Sequence, residues 1–187
     1  MARPREFDQD TALDGAINIF WKQGYGSTNL PDLLNAMELS RGSFYAAFTD
    51  KHLAYIAALD RYENVYLAKL LEELKAQSPD IPLAERLLYL FNQIDNSGPI
   101  ENRRGCFICN AMVEFGTTNP EIADAAARMS AAIASTLQDI LEDAGKDTET
   151  AKAQAQALLQ LYYGAQALSK AGNDLSGYLV TIKAIVD

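Results

Sequence analysis

The sequence predicts an all-α protein of about nine helices, in which three short N-terminal helices are joined by a long one to a second helical body. Three observations predict it. Apolar residues recur at i, i+3, i+4 and i+7 from end to end. No segment alternates apolar and polar residues as a strand does. Each periodic stretch is bracketed by capping residues and by glycine or proline. The 187 residues suffice for one sizeable core, or two smaller ones sharing a helix.

Leu13, Ala16, Ile17 and Phe20 give the first helix one buried stripe, and Gly24 closes it. After Tyr25-Gly26-Ser27, Thr28 or Asn29 caps the second helix. Pro31 fits its first turn, where no N–H is needed. Leu30, Leu33, Leu34 and Met37 form its inner face. Ser40 caps a third helix carrying Phe44, Tyr45 and Phe48, and Asp50 caps a fourth that runs over about 51–76. At ~1.5 Å per residue the fourth spans roughly 38 Å, a length that links two bodies. Ser78-Pro79-Asp80-Ile81-Pro82 breaks it. Further helices are expected over 83–96, 101–115, 120–145 and 147–171, and a ninth from near Asp174, with breaks at Asn96-Ser97-Gly98-Pro99, Gly116, Gly145 and Gly172. The expected division is 1–50 and 51–187.

Apolar residues at 49% and charged ones at 22% argue against intrinsic disorder. No apolar run reaches the ~18–20 residues that span a bilayer. The polar start, Met-Ala-Arg-Pro-Arg-Glu-Phe, does not read as a secretory signal, so no membrane partner and a cytoplasmic location are expected. The net charge of −9 by itself opposes binding to phosphates. The acid is uneven. Residues 1–52 hold five basic against seven acidic groups, and the rest hold 11 against 18. A claim on nucleic acid therefore rests on motif and placement.

The motif lies between Leu30 and Phe48. A short packed helix, a tight turn and a third helix that opens with Ser40-Arg41-Gly42-Ser43 make a helix-turn-helix pattern. Small and polar residues at the start of the third helix let it enter a major groove. Phe44 and Phe48, four apart, share the inward face, while Tyr45 points elsewhere. The stretches Gly24-Tyr25-Gly26-Ser27-Thr28, Asp32-Leu33-Leu34, Ser40 to Phe48 and Asp50-Lys51 together resemble the N-terminal signature of the TetR family of transcriptional regulators. Arg104-Gly105-Cys106-Phe107-Ile108-Cys109-Asn110-Ala111 resembles a sixth-helix start in that family. Glu38, where the family usually has glycine, and Ala47, where it often has histidine, depart from the pattern.

The resemblance implies a DNA-binding regulator, a repressor released from a palindromic double-stranded operator by a small-molecule inducer. By resemblance Thr28, Tyr45 and Lys51 bind phosphates, and Arg41, Gly42 and Ser43 sit where the family contacts base edges. Arg3 and Arg5 are expected to form an arm that reaches phosphate or the minor groove. The eighth helix is apolar on nearly every side, which requires partners on two faces. A homodimer seam through Leu158, Leu161, Ala165 and Leu168, with Leu179 and Ile182 of the ninth helix, supplies the second partner, as the resemblance also implies. Tyr62, Tyr66, Phe91, Cys109, Met112, Met129, Tyr163 and Gln166 are candidate lining groups for an inducer pocket.

Other readings are fewer. Cys106 and Cys109, read as i, i+3 on one helix with Arg103 and Arg104 nearby, suggest a thiol sensor of oxidants or electrophiles as an alternative. A helical ligand-binding protein that does not touch DNA is another. No cofactor or metal is expected, since two cysteines supply half a tetrahedral site and His52 is distant in sequence. No enzyme is expected either, because the sequence has no phosphate loop, nucleophile elbow or metal triad.

Overall fold

A computed structural model describes residues 7–94, 103–173 and 177–187. Among them are nine helices and no strand. They are α1 (Gln9–Gln23), α2 (Leu30–Ala36), α3 (Arg41–Phe48), α4 (51–75), α5 (Leu83–Asn92), α6 (Phe107–Phe115), α7 (Pro120–Asp143), α8 (Thr148–Lys170) and α9 (Tyr178–Val186). None is long and apolar enough to cross a membrane. The Arg3–Arg5 arm and the Asn96–Pro99 breaker lie outside the described residues.

Caps set most boundaries. The Asp8 carboxylate accepts from Asp10 N–H and Thr11 N–H, which holds its carboxyl below the ordinary range. Asn29, not Thr28, caps α2 through Asp32 N–H at 2.9 Å. Ser40 caps α3 and Asp50 caps α4. Asn119 and Asp147 do the same for α7 and α8. Each cap satisfies N–H groups that the first helical turn leaves without partners.

Three boundaries differ from the sequence expectation, one being that α9 begins at Tyr178 rather than near Asp174. α6 begins at Phe107 rather than 101, and α5 stops at Asn92 rather than 96. Gly105 takes φ +66 and Cys106 is extended at the N-cap, so 103–106 is not helical. This segment is drawn across α1 and α8. Trp21 Nε1–H donates to Gly105 O at 3.0 Å, and an added Cβ on Gly105 would meet Lys170 Cδ and Gln166 O at 3.3 and 3.4 Å.

The long helix is interrupted by a π-helical turn, Tyr62–Leu67, flanked by Lys51–Arg61 and Ala68–Lys75. Such turns alter the register of side chains by about a residue and are frequent at functional sites. Here the turn stacks the rings of Tyr62 and Tyr66 at 5.9 Å. One apolar core runs through the molecule. α1, α2 and α3 close over Phe20, Leu33, Phe44 and Phe48, and Tyr55 and Phe107 continue the core between α4 and α6. α7 and α8 pack along their lengths, and α9 lies on α5, with Tyr178 stacked on Phe91 at 5.4 Å.

The turn after α2 carries strain. Glu38 sits at φ +55, and Leu39 N–H reaches back to Leu34 O at 2.9 Å, with the Leu39 side chain buried. This is a Schellman stop in which glycine is the usual left-handed residue. A side chain there costs about 1 kcal/mol. Glu38→Gly is therefore expected to stabilise the fold by about 1 kcal/mol and raise Tm by about 2–4 °C. Thermal unfolding checks this, and a lowered Tm would contradict it.

Candidate nucleic-acid interface and adjoining cavity

α3 is fixed from within and open without. Phe44 and Phe48 are buried with ring centroids 5.8 Å apart. Arg41, Gly42 and Ala46 are exposed, and Tyr45 is 48% exposed with its ring edge on Phe44. Ser43 is half-buried, its hydroxyl 2.9 Å from that of Ser40. Gly42 has no internal reason to be glycine. An added Cβ would meet only Ser40 Oγ, at 3.9 Å.

Two predicted phosphate contacts have internal duties. Thr28 is fully buried, and its hydroxyl donates to Gly24 O at 2.6 Å. Its side chain therefore braces the α1–α2 turn and does not reach outward. The Lys51 ammonium donates to Tyr25 O and Thr28 O, both at 3.0 Å, and lies 4.0 Å over the Tyr25 ring. An ammonium has three donors, and these carbonyls take two of them.

From the other side, Glu114 of α6 accepts from Tyr25 N–H at 2.8 Å and from Gly26 N–H. The turn that leads into the helix-turn-helix is thus held by Lys51 and by a carboxylate from a distant helix. Glu114 carried no signal in sequence.

The acid of the N-terminal segment is largely occupied. Asp8 and Asp50 point at helix N-termini, whose partial positive charge offsets them. Arg61 grips Asp14 with two bonds at 2.7 and 2.9 Å and reaches Asp10 at 3.0 Å. That grip, with Tyr66 O–H donating to the same carboxylate, holds the Asp14 carboxyl below its ordinary range. Among the described acidic groups of this segment, Asp32 and Glu38 remain.

The same clamp borders a cavity of about 760 Å³ between α1, α4, the end of α5, Arg104-Gly105 and α8. Of the eight residues read as candidate lining groups, Tyr62, Tyr66 and Gln166 border this cavity. The other five predicted residues do not. Met129 and Phe91 are core, Tyr163 pairs its hydroxyl with Ser130 at 2.7 Å, and Cys109 and Met112 pack on the core from α6. Asp14, Trp21, Arg61, Arg104 and Tyr162 line it instead.

Cys106 stands at the N-cap of α6 and Cys109 in its first turn, so they are not two residues along one helical face. The neighbouring Cys109 and the N–H groups at the start of α6 hold the Cys106 thiol low against its burial. The neighbouring Cys106 and burial push Cys109 up. The two arginines are engaged away from the thiols. Arg104 bonds Asn18 at 2.8 Å, and Arg103 faces the Ser169 and Asn173 carbonyls at 3.5 Å. Burial of the low thiol and the high position of the half-buried one both run against thiolate chemistry.

In the seam expected for a dimer, Leu158, Ala165 and Ile182 are buried within the protomer, because they face α7 and α5 across the core. They are corrected to core residues. Leu161 and Leu179 are half-buried, Leu168 is 48% exposed, and Val180 is 72% exposed.

Residues 12–52 match the family profile for bacterial regulatory proteins of the tetR family, and residues 84–185 match the tetracyclin repressor-like C-terminal domain. The chain belongs to the TetR family. Among its relatives, the HTH-type transcriptional repressor ComR of Escherichia coli (strain K12) is 33% identical over 141 residues, which is 74% of this chain and 66% of ComR. The uncharacterized HTH-type transcriptional regulator YezE of Bacillus subtilis (strain 168) is 30% identical over 66% of this chain and 62% of its own length. The chain thus spans a little under two thirds of these relatives. A cysteine mutant of the TetR family regulator CifR, complexed with 26-base-pair double-strand operator DNA, superposes with a TM-score of 0.74. It is 25% identical, and the match covers 98% of both chains.

Proposed function

We propose that this chain is a homodimeric, DNA-binding transcriptional repressor whose grip on a palindromic operator is released by a small-molecule inducer. Residues 1–50 read DNA, and 51–187 bind ligand and dimerise. One observation carries the reading: α3 is locked by Phe44 and Phe48 and presents Arg41, Gly42 and Tyr45 to solvent. A rod held this way enters a major groove with its N-terminal residues on base edges. Arg41 is suited to bidentate contact with guanine, Tyr45 to a phosphate, and Lys51 to a second phosphate through its remaining donor. The operator-bound CifR relative supports the same use of the fold.

The apolar seam of half-buried Leu161 and Leu179 and exposed Leu168 and Val180 supports the dimer. Two such helices from each protomer make a four-helix contact, and a two-fold axis then sets two α3 rods at groove spacing. Leu168→Arg combined with Val180→Arg is expected to give monomers in sedimentation and to weaken DNA binding by at least about tenfold, while leaving helicity unchanged, since both sites are exposed. A double variant that stays dimeric contradicts this seam. The function itself is tested by titrating duplex DNA flanking the gene at several salt concentrations. Sequence-selective binding that falls steeply with salt is expected, and equal binding to random DNA would refute it.

The inducer acts by differential affinity for the free and operator-bound arrangements. The cavity touches α1, α4 and α8 together, and α6 runs from beside it to Glu114 on the α1–α2 turn. A ligand that resets these helices moves the mounting of α3.

A further inference from the structure

The cavity lining carries more cations than carboxylates, against the sign of the whole chain. In a protein of net charge −9, its lining holds four cations, Lys22, Arg61, Lys69 and Arg104, against two carboxylates, Asp14 and Glu73. Arg61 is matched by Asp14 and Asp10. Lys69 leans to Glu73 at 3.9 Å. Among the described residues the other two have no carboxylate partner. Arg104 bonds the neutral Asn18 amide at 2.8 Å and lies 5.8 Å over the Trp21 ring. Lys22 makes no ion pair or hydrogen bond among the described residues.

Beside these cations stand aromatic walls. Trp21 meets Tyr62 edge-on at 5.5 Å, Tyr62 stacks on Tyr66, and Tyr162 lines the side formed by α8. Gln166, buried next to Tyr162 and donating to its hydroxyl at 2.8 Å, adds an amide at the inner end. A cavity of about 760 Å³ falls in the range of small-molecule sites. A flat apolar body suits the rings, and a planar anion suits a guanidinium that lies over an aromatic ring and still has donors to give.

We propose that this cavity binds an aromatic carboxylate, with its ring against Trp21, Tyr62 and Tyr66 and its carboxylate on Arg104, Lys22 standing at the mouth. The proposal rests on the inducer reading above and names the ligand class for it. The bound acid touches α1 directly, next to the Asp14–Arg61–Tyr66 clamp. It therefore acts on the reading helices without relay through the whole sensor body.

Trp21 is the sole tryptophan, so its emission reports from inside the cavity. The test titrates the full chain with 4-tert-butylbenzoate, the corresponding benzamide and the corresponding benzylamine. Saturable change with the acid is expected, with amide and amine about tenfold weaker or more. Arg104→Gln, and separately the exposed Lys22→Gln, are expected to weaken the acid severalfold and leave the amide unchanged. Equal binding of all three, tighter binding of the amine, no saturable binding of the acid, or unchanged acid affinity in both variants would overturn the proposal. Operator binding by the same preparation keeps the two claims apart. DNA binding without selective acid binding defeats the ligand class alone, whereas absence of DNA binding defeats the repressor reading.

Discussion

Gly15→Ala is expected to cost about 3 kcal/mol of stability and to abolish operator binding, although alanine is the better helix former. Gly15 lies in the middle of α1, where α2 ends against it. A Cβ added there would stand 1.9 Å from Ala36 O and 2.7 Å from Ala36 C. The obstacle is backbone, so no side chain can rotate away. α2 must lift from α1, which pulls Leu33 and Met37 from the core and unseats the turn into α3. Urea unfolding measures the loss. A change under about 0.5 kcal/mol, the usual range for a surface substitution, would mean that α2 is not seated on α1 as described.

Arg41→Ala is expected to weaken operator binding about tenfold to a hundredfold and to relax the preference for the operator over random DNA. Its stability is expected to stay within about 0.5 kcal/mol, because the side chain is exposed. Tyr45→Ala weakens operator and random DNA alike, since a hydroxyl on a phosphate carries no sequence information. Gel-shift titration of both variants separates the roles. If Arg41→Ala lowers both affinities equally and reduces the salt slope by about one, Arg41 is a phosphate contact instead.

The reading helix was legible because everything that makes it is local. Asn29, Ser40 and Asp50 announce helix starts in a few residues, and the Phe44–Phe48 spacing gives the inward face. Glu38 announced its own strain by standing where glycine belongs, and its φ of +55 agrees. The cavity was legible only in part because its walls join residues far apart in sequence. Trp21 meets Gly105, and Asp14 meets Arg61 and Tyr66. Periodicity says that Met129 and Phe91 are buried, but not whether their side chains meet other side chains or a void. The same limit misplaced Leu158, Ala165 and Ile182, which are apolar for the core of the protomer. The π-helical turn of α4 has no marker in composition, yet it decides that Tyr62 and Tyr66 stack at the cavity. For the late start of α6 a sign was present. Gly105 stands just before Cys106, and its positive φ ends any helix that would run through it.

The account turns on two outward-facing α3 helices held by one two-fold axis on one face of a duplex. Hydroxyl-radical footprinting of the DNA flanking the gene tests this most directly. Two protected patches are expected, related by two-fold symmetry and centred about one helical turn apart or somewhat more on the same face. A single patch, or uniform protection along the duplex, would contradict it.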